Sequence, residues 1–251
     1  AGDMLKLKMA FAFGADAVYA GIPKFSLRTR EAGFTPDNLK EAIDYTHSIG
    51  KKIYLTLNIY PQNLKVDAFL KELDLVIPMK PDALIMADPG MIAVVRERYP
   101  DMPVHLSTQA NTVNWMTVKF WHDLGVRRVI LSRELRLDDI GKMHKEVPEI
   151  ELETFVHGAI CISYSGRCLI SNYLHGRDAN QGTCTNSCRW EYKLGYDKGS
   201  LLEVEKEQET YEYKTPPPEG FYVKESHRPD DRFPINEDEH GTYLMNSKDL
   251  C

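Results

Sequence analysis

The sequence predicts an α/β fold of parallel βα units: a (β/α)8-type barrel, incomplete in these 251 residues, with an acidic inserted segment before its last strands. Three observations predict it. Short apolar runs alternate with helical periodicity through the first 157 residues. Several of those runs are mostly apolar, as strands covered on both faces must be. Polar residues then collect where the runs end: Tyr19, Asn58, Asp88, Ser107, Gln109, Asn111, Ser132, Arg133, Glu134 and His157. In a barrel those ends form the catalytic face. A doubly wound open sheet fits the same alternation, but no Gly-rich phosphate fingerprint follows any strand, which favours the barrel.

Each element has a local reason. "LKLKMAFAFG" has helical apolar spacing and a stop at Gly14, and the short run "ADAVYAG" follows. In "TPDNLKEAIDYTHSIG", Thr35 is the N-cap, Pro36 takes the first helical position and Gly50 closes the helix. The alternation continues with the strand "KKIYLTLNIY", the helix "DAFLKELDLVIP", the strand "DALIMAD" and the helix "GMIAVVRERYP". "PVHLSTQAN", "NWMTVKFWHDLG", "RRVILSRE" and "RLDDIGKMHKEVP" repeat it, and "IELETFVHGAIC" is the last clear strand. The strands are expected near 16–20, 52–58, 83–87, 103–108, 128–132 and 152–157. Residues 1–192 thus read as the barrel with a cysteine-rich loop, 193–240 as an acidic insertion or small subdomain without sustained period, and 241–251 as a return to the barrel.

The totals narrow the function classes. Net charge is −6, but residues 197–240 hold 13 acidic against 6 basic side chains, a local −7 that leaves +1 for everything else. The main domain is neutral with basic spots, so RNA is neither announced nor excluded. No stretch approaches the ~20 apolar residues of a membrane span. Lys6 and Lys8 interrupt any leader-like apolar run, so the expectation is a cytoplasmic protein with no membrane partner. The first residue is not Met and the last segment, "MNSKDLC", has no closing element; this reads as part of a longer protein, with Cys251 incidental.

Cys161, Cys168, Cys184 and Cys188, four of the five cysteines, fall within 28 residues. In a reducing compartment such thiols are ligands more readily than bridges. Neither pair has the C-x2-C spacing of a zinc knuckle. Iron–sulfur clusters accept irregular thiolate spacing, so a cluster, a zinc site and metal-free thiols all stay open on spacing alone. Arg167 and Arg189, each next to a cysteine, would favour thiolates.

The motif "FVHGAICISYSGRCLIS" resembles the signature of the collagenase-like peptidase family, of unassigned catalytic type. "FGADAVYAG", "PDALIMADPG", "HLSTQANTVNWMTVKFW", "VILSREL", "NQGTCTNSCRWEY" and "EDEHGTYLMNSKDL" are similar to its branch of prephenate-dependent tRNA wobble-uridine 5-hydroxylases. The resemblance covers nearly all 251 residues. It implies a barrel, a longer parent protein and an iron–sulfur cluster, of the four-iron four-sulfur kind, on Cys161, Cys168, Cys184 and Cys188. It also implies prephenate as co-substrate, and tRNA and the iron–sulfur assembly machinery as partners.

Peptidase chemistry finds less support in the residues. H-E-x-x-H and G-x-S-x-G are both missing, which leaves only a thiol beside His157, four residues before Cys161. A hydroxylase needs a redox centre, a site for a small dicarboxylate and RNA contacts. Arg133 suits the carboxylate, because its guanidinium fork matches that shape, with a salt bridge to Glu134 as the bland reading. Arg28 and Arg30 are further candidates. His157 and Glu134 are the candidate proton-transfer groups, and Tyr19, Asn58, Gln109, Asn111 and Arg133 the candidate substrate-binding groups. For RNA, Lys119, Arg127 and Arg128 interleave with Trp115, Phe120 and Trp121, although aromatics at helical spacing are more often core. A non-catalytic scaffold that carries a cluster is the third class.

Overall fold

A computed structural model describes residues 1–22, 24–27, 33–158, 161, 163–164, 167–196, 221–225, 228–238 and 241–243. Its first unit comprises Ala1–Leu169 and Asp178–Cys184. There β1 (Ala17–Gly21), β2 (Lys52–Leu57), β3 (Ala83–Met86), β4 (Val104–Leu106), β5 (Arg128–Ile130) and β6 (Glu151–Glu153) form one parallel sheet in sequence order. The intervening helices are α1 (Met4–Ala12), before β1, then α2 (Pro36–Ser48), α3 (Asn63–Val76), α4 (Pro89–Arg98), α5 (Trp115–Asp123) and α6 (Leu137–Glu146). The strands curl into a half-barrel, as the alternation predicts.

The helices begin where the sequence places caps. Thr35 Oγ1 accepts from Asn38 N–H at 3.5 Å while Asn38 Oδ1 accepts from Thr35 N–H at 2.6 Å, a reciprocal box ahead of Pro36. Asp88 caps α4 by accepting from Met91 N–H at 2.9 Å, and Asn114 caps α5 by accepting from Thr117 N–H at 3.0 Å. Gly14 (φ +96°) and Gly50 (φ +69°) supply the left-handed turns after α1 and α2, which a Cβ would strain.

Alternate strand residues then go to opposite faces. Val18, Ile53, Leu55, Leu84, Leu106 and Val129 join Leu39, Ile43, Phe69, Val95, Val118 and Met143 of the helices in one continuous core. Each such buried side chain contributes about 1.5–3 kcal/mol. On the other face Tyr54, Ala83, Ile85 and Ile130 make a small cluster with Ala17 and Tyr19. There the rings of Tyr54 and His105 meet edge-on at 4.7 Å, and Arg128 lies 5.3 Å over Tyr54. Arg128 also binds Glu151 Oε2 at 2.7 Å and Glu153 Oε2 at 3.0 Å.

The second unit comprises Ile170–Arg177 and Thr185–Cys251. It holds α7 (Ile170–His175) and an antiparallel sheet of β7 (Tyr192–Tyr196), β8 (Phe221–Glu225) and β9 (Arg228–Pro234). β10 (Asn236–Asp238) and β11 (Gly241–Tyr243) pair antiparallel. The chain therefore crosses between units at 169, 177 and 184, earlier than the composition shift near 192 marks it. The acidic stretch contains strands that its short, charged sequence hides. The described part of the expected return strand pairs with β10 instead, and the rest of it, with Cys251, lies outside the described residues.

Candidate active site

At the C-terminal ends of β2 and β4 the chain builds a hydrogen-bond relay. Leu27 N–H donates to Asn58 Oδ1 at 3.1 Å, and Asn58 Nδ2 donates to Ser107 Oγ at 3.2 Å. The Ser107 hydroxyl donates to Gln109 Oε1 at 2.8 Å. Gln109 sits in the 3-10 turn Thr108–Ala110, whose left-handed end is Asn111 (φ +50°). Asn111 Nδ2 (2.8 Å) and the Tyr60 hydroxyl (3.0 Å) both donate to the Gln109 carbonyl. Asn58, Gln109 and Asn111, expected at one rim, are thus brought together.

The relay is buried, yet some of its atoms have nothing to bind. Gln109 is 1% exposed and Ser132, just past β5, is 5% exposed. Among the described residues, Gln109 Nε2, Ser132 Oγ, Thr108 Oγ1 and Thr112 Oγ1 have no hydrogen-bond partner. Each such buried orphan costs about 1–3 kcal/mol, so four at one rim mark a place shaped for something else.

Tyr60, Lys65 and Gln181 belong to this rim and were not read from the sequence. Gln181 Nε2 donates to the Tyr60 carbonyl at 2.7 Å, and Lys65 Nζ donates to Gln181 Oε1 at 2.8 Å. Their separations, 121 and 116 residues, carry no local signal. Burial raises the Tyr60 pKa, opposed by the charge of Arg167 and aided by that of Asp88. The same fastening holds the segment Asp178–Cys184 to the first unit, and Asn180 Nδ2 binds the Cys168 carbonyl at 3.2 Å.

Three of the four clustered cysteines lie in this unit. Cys161 and Cys184 are exposed and Cys168 is half-buried, whereas the exposed Cys188 belongs to the second unit. Thiols at the surface, outside the apolar core, are chemically suited to hold an iron–sulfur cluster. Among the described residues no three His, Cys, Asp or Glu side chains stand together as a metal site. Cys161 Sγ lies 3.6 Å from Ser163 Oγ.

The remaining candidates are more scattered. The Arg133 guanidinium lies 3.8 Å over the Phe155 ring, and among the described residues no carboxylate pairs with it, so the Glu134 salt bridge does not form. Glu134 and His157 are exposed at the ends of β5 and β6. Tyr19 is not at the rim: it is the middle residue of β1, its ring 5.9 Å from that of Tyr54. Arg28 and Arg30 lie outside the described residues. Of the basic residues read for RNA, Lys119 pairs with Asp123 and Arg128 with two glutamates, leaving Arg127 exposed. Trp121 is core, and Phe120 is 54% exposed.

A cavity of about 810 Å³ runs along β6, the last strand of the sheet among the described residues, lined by Arg128, Leu137, Ile140, His144, Ile150 and Glu151. It collects Pro148 and Glu149 before the strand, at the end away from the relay, and carries none of the rim's orphaned donors. The rim is therefore the better candidate for chemistry.

The model of peptidase family U32 matches residues 2–251. The chain is 53% identical over 263 residues to tRNA hydroxylation protein P of Haemophilus influenzae and 50% identical over 260 residues to that of Escherichia coli. All of the chain is covered in both cases, against 57% of each relative, so it spans little more than half their length. Among solved structures, a U32 peptidase superposes with a TM-score of 0.53 at 16% identity, covering 64% of this chain and 68% of the other, which shows the fold.

Proposed function

The chain belongs to peptidase family U32, and from that premise we propose that it serves tRNA hydroxylation, as the core of an enzyme that makes 5-hydroxyuridine at the wobble position with prephenate as co-substrate. The observation that carries this reading is the rim of buried, unpartnered donors at the strand ends, in a chain half-identical to tRNA hydroxylation proteins. Cys161, Cys168, Cys184 and Cys188 are the residues that would hold an iron–sulfur cluster, which would supply redox chemistry when bound. The chain's own groups bind and orient. The relay through Asn58, Ser107 and Gln109 presents a fixed donor, and Arg133, lying over the Phe155 ring, offers its fork to a carboxylate of the small dicarboxylate. His157 and Glu134, exposed past β6 and β5, are the groups available to move protons.

Proteolysis is the second reading, drawn from the family's name. It wants a thiol against an imidazole, and Cys161 instead faces the Ser163 hydroxyl. The two are separated by nucleoside mass spectrometry of tRNA from cells with and without the full-length gene. Loss of 5-hydroxyuridine-derived nucleosides on deletion, restored by wild type but not by Cys161→Ala or Cys168→Ala, is the expected result. Unchanged nucleosides, with no second route to supply them, would overturn it.

A further inference from the structure

The relay has a direction, and that direction selects a ligand. A backbone N–H can only donate, so Leu27 forces Asn58 Oδ1 to accept and turns Asn58 Nδ2 toward Ser107. Ser107 Oγ accepts that bond, and its own proton goes to Gln109 Oε1. The Gln109 oxygen is thereby turned toward Ser107, which leaves on the other arm of its amide the Nε2 donor, buried and without a partner among the described residues. Ser132 stands alongside: Leu106 is in register with Val129, so positions 109 and 132 leave neighbouring strands at the same level. Its hydroxyl is likewise unpartnered.

We propose that Gln109 Nε2 and Ser132 Oγ together read a ring carbonyl of uracil, and that the Leu27–Asn58–Ser107 relay makes the site prefer uridine to cytidine. This deepens the tRNA-hydroxylation reading and rests on it for the identity of the substrate. Two neutral donors suit a neutral carbonyl oxygen, whereas a carboxylate is better served by Arg133. Cytosine offers an amino group where uracil offers O4, so Gln109 Nε2 meets donor with donor there and the site favours uridine. These atoms are closed to solvent here, so the base reaches them when their cover opens. Tyr60 binds the Gln109 carbonyl and is itself fastened by Gln181, which makes the Asp178–Cys184 segment the moving piece. Enzymes acting on a base hold it out of the stack and hydrogen-bond its edge in this manner.

The test uses purified full-length protein and two RNA anticodon stem-loops that differ only in uridine or cytidine at the wobble position, with affinity read by fluorescence anisotropy. Wild type should prefer uridine by roughly tenfold, the worth of one or two buried hydrogen bonds. Gln109→Leu should erase the preference. Asn58→Asp should invert or erase it, because the new carboxylate accepts from both Leu27 and Ser107, turns the relay round and leaves Gln109 presenting its oxygen. Ser132→Ala, which leaves the relay alone, should cut the preference several-fold, and it decides the matter should an Asn58 variant fail to fold by circular dichroism. A wild-type ratio near one overturns the inference. So does a ratio unchanged in Gln109→Leu and Ser132→Ala, which would make these donors holders of a buried water. Loss of prephenate binding in those variants with the ratio intact overturns it too, by assigning the pocket to the dicarboxylate. Where cells show hydroxylated tRNA but the ratio does not respond, this inference fails alone; where deletion leaves tRNA unchanged, the functional reading fails whatever the ratio.

Discussion

Leu55, Leu57, Leu84 and Leu106 face the helices and are closed to solvent; Ser107 and Gln109, next along β4, are closed to solvent as well but polar. The two regions share strands and burial and differ in what burial asks of them. Apolar contacts on the helix side are non-directional, so each leucine is satisfied by any close neighbour of the right volume. At the rim every polar atom needs a partner at the right angle, and those without one show what the site still lacks. The helix side therefore accounts for stability, and the rim is where the proposed recognition would be made.

The largest effect that would break this division is expected on the helix side. Leu84→Ala should cost about 2–5 kcal/mol in chemical denaturation, since Leu84 is fully buried in the middle of β3. A loss under 1 kcal/mol would mean that the core is not where the stability lies. The inner face gives a pH signature. Burial, then the charge of Arg128, holds the His105 pKa down at about 4 from an ordinary 6.5. The unfolded chain thus takes up this proton first as pH falls. Stability should drop from pH 6.5 to about 4 and level off below, by up to about 3 kcal/mol, with no contribution above 6.5. His105→Phe should flatten that part of the pH profile.

Arg128→Ala should cost less, about 1–2 kcal/mol, because Glu151 is largely exposed while Glu153 is left half-buried without its cation. Burial already pushes the Glu153 carboxyl upward, and the variant should raise it further, readable by carboxyl NMR titration. Smallest of all, Cys161→Ala and Cys168→Ala should change stability by under about 0.5 kcal/mol, since neither side chain is in the core. The same variants should lower iron bound per chain in anaerobically purified full-length protein. A large stability loss with iron retained would move these cysteines from ligand to core.

Much of the architecture was legible. Thr35 and Pro36 announce a helix start, and α2 begins there; α4 and α5 begin just after Asp88 and Asn114, inside the stretches read as helical. The six strands sit within a few residues of their apolar runs, from Ala17 to Glu153. Tyr19 was placed at a strand end and is mid-strand, since "ADAVYAG" does not show where pairing with β2 stops. β8 and β9 fall in the stretch read as an acidic insertion or small subdomain without sustained period, because Lys224, Asp230, Asp231 and Arg232 mask strands that exist only through pairing. Of the rim, Asn58, Gln109 and Asn111 were visible as polar residues ending apolar runs, whereas Tyr60, Lys65 and Gln181 were not.

The sequence by itself determined where helices start, which residues alternate toward the core and that one end of the strands would be polar, because caps and periodicity act over three or four residues. Only the tertiary structure decided that Asn58 hands a hydrogen bond to Ser107, 49 residues away, and that Gln109 is left holding a donor. The physical reason is register. A hydrogen bond is met only within about 3 Å and a narrow angle, and which strand ends come that close depends on how β2, β3 and β4 align, a property of the whole sheet.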